Sequence, residues 1–137
     1  MAANWPSAAH GNSCIRRSGQ ATVEFALASI VFLMVVFGTI DFGRVIFVSA
    51  ELRNATREGA RYGKINPTDT SGIKATVVDH AIGTGLTAGN VIVSCSGSCK
   101  SDDKIIVSVS VGFLAVTQDL LGIDPLTLSA SSTARIE

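Results

Sequence analysis

SGQATVEFALASIVFLMVVFGTI, residues Ser18–Ile40, decides how the rest of the chain is read. Between Phe25 and Ile40 no residue is charged, and Ser29 and Thr39 carry the only polar side chains. At about 1.5 Å of rise per residue this run makes roughly 24 Å of helix, and Ala21–Val23 lengthen it at the front. A bilayer core is about 30 Å thick and a spanning helix takes about 17–25 residues, so the run and its flanks suffice to cross one. The segment expected to span is about residues 21–41. Glu24 stands inside its leading edge, five residues after Gly19 and directly before Phe25. A carboxylate there is costly in lipid and marks a functional position.

Bulk composition agrees with a membrane-attached chain. The 137 residues have room for one small domain, and 47% of them are hydrophobic, with a mean hydropathy of +0.41. The excess is concentrated before Val48. Net charge is zero; without Arg16 and Arg17 nine basic side chains face eleven acidic ones, a net of −2. Non-specific nucleic-acid binding runs on clustered Lys and Arg, so direct nucleic-acid contact is not expected.

Arg16 and Arg17 precede the apolar run. Basic residues beside a first transmembrane helix hold that end in the cytoplasm, so the chain beyond it is expected outside. A secretory signal has the same order but ends in a small-x-small cleavage site, whereas this run continues into Asp41-Phe42-Gly43-Arg44. Asp41 and Arg44, three apart, share a helix face and can pair where the helix leaves lipid. The helical pattern then continues through Val45, Val48, Leu52, Ala55, Gly59, Tyr62 and Gly63. Ala55, Gly59 and Gly63 form a smooth strip against which another backbone can pack closely. The chain's own sheet is the expected partner and a neighbouring subunit the alternative. Arg53, Arg57 and Arg61 make a second row, read as a solvated basic face.

Asn66-Pro67-Thr68-Asp69 breaks this helix. A short second helix follows, capped by Asp69, Thr70 or Ser71 and closed by Gly83, with Ile73, Val77, Ala81 and Ile82 as its buried face. Val91–Cys95 reads as a strand, and Lys104–Phe113 (KIIVSVSVGF) alternates as a half-buried strand does. Residues 114–125 read as a loop leading to a last strand, Leu126–Ile136. The fold class is therefore α+β: a long transmembrane-plus-periplasmic helix packed on a short helix and a three-stranded antiparallel sheet. Its parts are residues 1–19, the long helix 20–64, and an extracytoplasmic α+β domain 65–137.

The sequence advertises little chemistry. No nucleophile elbow, phosphate loop, dinucleotide fingerprint or zinc-protease pattern is present. Cys14, Cys95 and Cys99 with His10 and His80 lack paired zinc spacing, so no metal or other cofactor is expected. Cys95 and Cys99 flank Ser-Gly-Ser, and outside the cytoplasm they read as a disulfide, with free thiols in a turn as the alternative. Asp102-Asp103 reads as a solvated pair in a turn. The chain is not expected to be an enzyme.

Gly19-Gln20-Ala21-Thr22-Val23-Glu24-Phe25 resembles the processing site of type IV pilins and pseudopilins: a basic leader, glycine, then glutamate and phenylalanine opening an apolar helix. Together with TIDFGRVI and LRNATREGARYG, the stretch Arg16–Gly63 resembles the TadE-like proteins of Tad (Flp-type) pilus systems, and the Cys95/Cys99 turn fits them. Asp41 departs from the family's usual glutamate. The resemblance implies a pilin-like fold and cleavage between Gly19 and Gln20 by a prepilin peptidase. It further implies assembly through Glu24 and Phe25 with other pilin or pseudopilin subunits and the Tad machinery. An uncut, membrane-anchored extracellular binding or adhesion module is the competing expectation.

Overall fold

No proline interrupts the sequence between Pro6 and Pro67, and a single helix, α1, occupies Arg17–Ile65. The computed structural model describes Met1, residues 17–122 and residues 124–137. Most of the expected leader, Cys14 and Arg16 included, lies outside the described residues. Two compact units divide the chain, Met1–Val36 and Phe37–Glu137.

Among the described residues of the first unit most of the large apolar side chains stand exposed. Phe25 is 74% exposed and Phe32 67%. Helix α1 is long and apolar enough to cross a membrane.

In the second unit, α1 stops at Ile65 because Asn66 precedes proline, whose ring disfavours helical geometry at the residue before it. The Asn66 amide makes a last turn to the Tyr62 carbonyl at 3.0 Å. Helix α2 follows at Thr70–His80 with Asp69 as its cap. It ends at His80 with Ala81 as its C-cap, two residues ahead of Gly83, whose φ of +74° suits a residue without Cβ. Strands β1 (Val91–Cys95), β2 (Lys104–Phe113) and β3 (Leu126–Arg135) form one antiparallel sheet in the order β1-β2-β3. Val91 pairs with Val109, and Phe113 with Leu126. The third strand thus ends one residue earlier than expected.

The alternation in β2 turns Ile105, Val107, Val109 and Phe113 inward. They join Leu52 and Ala55 of α1 and Ile73 and Val77 of α2 in the core. Thr56 and Ala60, absent from the expected stripe, are buried as well. On the opposite sheet face the Ser108 hydroxyl donates to Ser131 at 3.1 Å.

Strand β2 runs in the opposite sense to α1. A Cβ on Gly63 would stand 2.6 Å from Ile105 Cδ1, one on Gly59 would lie 3.6 Å from Val107 Cγ1, and the Arg44 guanidinium lies 5.1 Å from the Phe113 ring centre. The segment expected to be all loop contains a six-residue helix, α3, at Val116–Leu121, closed by Gly122 at φ +63°. Its pattern is too short to show periodicity, and what caps it comes from elsewhere in the chain.

Candidate functional site

Gly19, Gln20, Glu24 and Phe25 all lie on the first turns of α1 and are exposed. Gln20 and Glu24 are four apart and therefore neighbours on one face, beside Val23 and Leu27 in a shallow surface groove. Among the described residues nothing bonds to the Glu24 carboxylate. Among the described residues, no side chain or distant backbone lies within 4 Å of where a Gly19 side chain would begin. In outline, this is an open helical edge with one acid set among apolar side chains.

Asp41 sits where the apolar run ends, and it is buried, 6% exposed. Its Oδ1 accepts from the Val116 amide at 2.9 Å, and its Oδ2 from the Thr117 amide at 2.9 Å and hydroxyl at 2.8 Å. These are the first N–H groups of α3, which a helix cannot satisfy internally. Ala115, in the cap position, has no oxygen to offer, so α1 supplies it. Arg44 pairs with Asp41 at 3.4 Å as the spacing implied, and donates to the Leu114 carbonyl at 3.4 Å. Asp41 and Arg44 therefore clamp residues 114–117 to α1. Sequence reasoning missed this role because the partners lie 75 and 76 positions away. The available signal was an acid at the boundary and a short helix lacking its own cap.

The small-residue strip packs within its own unit. Ala55 is fully buried, a Cβ on Gly59 would overlap Val77 of α2, and one on Gly63 would lie 3.1 Å from Ile73. Glycine lets α1 approach both α2 and β2. The neighbouring seam is polar: Asp69 accepts from the Gly72 amide at 2.9 Å, the Ser71 hydroxyl at 2.8 Å and the Tyr62 phenol of α1 at 2.9 Å.

Cys95 and Cys99 form a disulfide across Ser96-Gly97-Ser98, with Cα atoms 5.5 Å apart. Arg53, Arg57 and Arg61 are exposed, and Arg61 meets Glu58 at 3.2 Å. Asp102 pairs with Arg135 at 3.0 Å, and the Asp103 carboxylate accepts from the Lys100 amide at 3.1 Å. His80 Nδ1 lies 2.8 Å from the Thr76 carbonyl oxygen. Among the described residues no three His, Cys, Asp or Glu side chains gather where an ion could sit.

A long N-terminal helix, apolar enough to cross a membrane and followed by a short helix and a three-stranded antiparallel sheet, is an α+β arrangement of the pilin-like class. The family model described as TadE-like protein matches residues 19–61, the part of α1 that carries Gly19, Glu24, Asp41 and Gly59. No curated protein and no solved structure matches the chain.

Proposed function

We propose that this protein is a membrane-anchored minor pilin or pseudopilin of a Tad-type pilus assembly and secretion system. In this reading a prepilin peptidase processes it after Gly19, and it assembles through its N-terminal helix. The observation that carries the reading is Glu24-Phe25 following Gly19 at the opening of an apolar helix, inside the stretch that matches the TadE-like family. Glycine before the cut allows extended backbone into the peptidase without a side chain in the way. Cleavage frees an α-amine on Gln20, one helical turn from Glu24. In a dry bundle of helices the Glu24 carboxylate neutralises the amine of an adjacent subunit. Either charge left alone in that setting is costly, so the pairing sets register. The leader stays in the cytoplasm and the α+β unit lies outside, where the Cys95–Cys99 bond is at home.

The test is the mature N-terminus, by intact mass and peptide sequencing in a host with its own prepilin peptidase. A start at Gln20, abolished in Gly19→Leu, is expected. A chain that still begins at Met1 in both would sink processing and favour an uncut, anchored binding module. Glu24→Leu is then expected to be cut and membrane-bound but lost from sheared pili; undiminished incorporation would remove Glu24 from assembly.

A further inference from the structure

We propose that Leu114, Val116 and Leu126 form a second membrane-contacting element, a collar of apolar side chains that enter the bilayer interface beside the point where α1 leaves it. The inference rests on α1 spanning a membrane, and three observations carry it.

The first is height along the helix. Strand β2 brings Ile105 to Gly63 and Phe113 to Arg44, so its far end returns to the start of the second unit. About 28 Å of α1 separate those two levels at 1.5 Å per residue. The Asp41 clamp then fixes Val116 and Thr117 at the residue next to the last apolar position of the spanning run, Ile40.

The second is exposure. Leu114 is 69% exposed, Val116 55% and Leu126 51%, beside Phe42 at 67% on α1. Ile65, Ile82 and Ile92 are exposed in the second unit too, so the weight falls on exposure at the Asp41 level, next to the apolar run. Phe42, Val45, Phe113 and Leu126 line an apolar groove next to Asp41. This apolar surface continues that of the spanning helix through Ile40, itself 50% exposed, which is why lipid is the occupant argued for.

The third is composition. From residue 114 to 126 the sequence reads LAVTQDLLGIDPL. It contains Asp119 and Asp124 and no basic residue, so attachment rests on apolar burial and not on attraction to anionic headgroups. The half-exposed Arg44 guanidinium lies at the same level, where a cation meets lipid phosphate.

The experiment is depth-dependent quenching on the full chain in phosphatidylcholine vesicles. Trp5, the one native tryptophan, is replaced by Phe, and single probes are introduced as Val116→Trp, Leu114→Trp, Phe32→Trp within the span and Ile92→Trp on β1. Ile92 pairs with Ser108, next to the Val107 that meets Gly59, and so lies far from the Asp41 level. Blue-shifted emission quenched by bromolipid at positions 116 and 114, as at 32 but not at 92, is expected, with no loss at high salt. Quenching at 32 alone overturns the collar and leaves the spanning helix intact. Quenching at none of the four overturns both. A blue shift at 116 that ignores bromolipid and fades as protein is diluted in lipid assigns the face to a second copy of the chain and overturns the proposal. Two collar probes guard against one substitution disturbing the loop.

Discussion

At Asp69 a single carboxylate accepts from the Gly72 amide, the Ser71 hydroxyl and the Tyr62 phenol, and so fastens the start of α2 to the end of α1. These donors, the Gly72 amide first, hold its carboxyl below the ordinary value of 3.8, while partial burial opposes them. The folded chain then binds this proton less tightly than the unfolded one. The contribution is complete above the unfolded value and is lost as pH falls through the lower folded value. Stability followed against pH is therefore expected to fall less steeply below about pH 4 in Asp69→Asn, which can keep the cap but not the charge. Equal slopes in the two chains would exclude the role. Asp41 acts at the other seam. Hydrogen bonds to a charged acceptor contribute enough that Asp41→Ala is expected to speed amide exchange at Val116 and Thr117 by roughly tenfold or more. Unchanged exchange there would mean that α3 holds itself in place.

Among the elements, α1 is where local preference and packing oppose each other. Glycine is poor in a helix interior, yet a methyl group at Gly59 would overlap Val77, which is fully buried. Overpacking costs typically about 1–3 kcal/mol and the propensity gain from alanine returns less than about 1, so Gly59→Ala is expected to destabilise. Gly43, also in α1, has no side chain or distant backbone among the described residues within 4 Å of an added carbon. Gly43→Ala keeps only the gain, up to about 1 kcal/mol. Urea midpoints of the two variants should move in opposite directions from wild type; two shifts of the same sign would refute the packing account.

Taken as a whole, the molecule keeps its described core in the second unit. Phe25, Leu27, Val31 and Phe32 in the first are exposed, whereas Leu52, Ile73, Ile105 and Val107 in the second are fully buried. The second unit holds the disulfide, both carboxylate seams and the described core. A chain beginning at Phe37 is therefore expected to unfold cooperatively in urea near the midpoint of the full chain in detergent. Loss of that transition would show that the N-terminal unit contributes to the core.

Much of this was legible in residues near one another in the chain. The uncharged run after Glu24, the small residues every fourth position and the Val-Ser alternation of β2 are periodicities that the backbone imposes locally, so helix, short helix and sheet could be read directly. Cys95 and Cys99, four apart around a flexible tripeptide, were legible for the same reason. Tertiary structure alone decided that Gly59 and Gly63 receive both α2 and β2, that Thr56 and Ala60 are buried, and that residues 116–121 form a helix. The Asp41 clamp depends on it most. Its donors arrive only because β2 runs back along α1 and delivers them, and no local pattern records where a strand ends against a helix that was made more than sixty residues earlier.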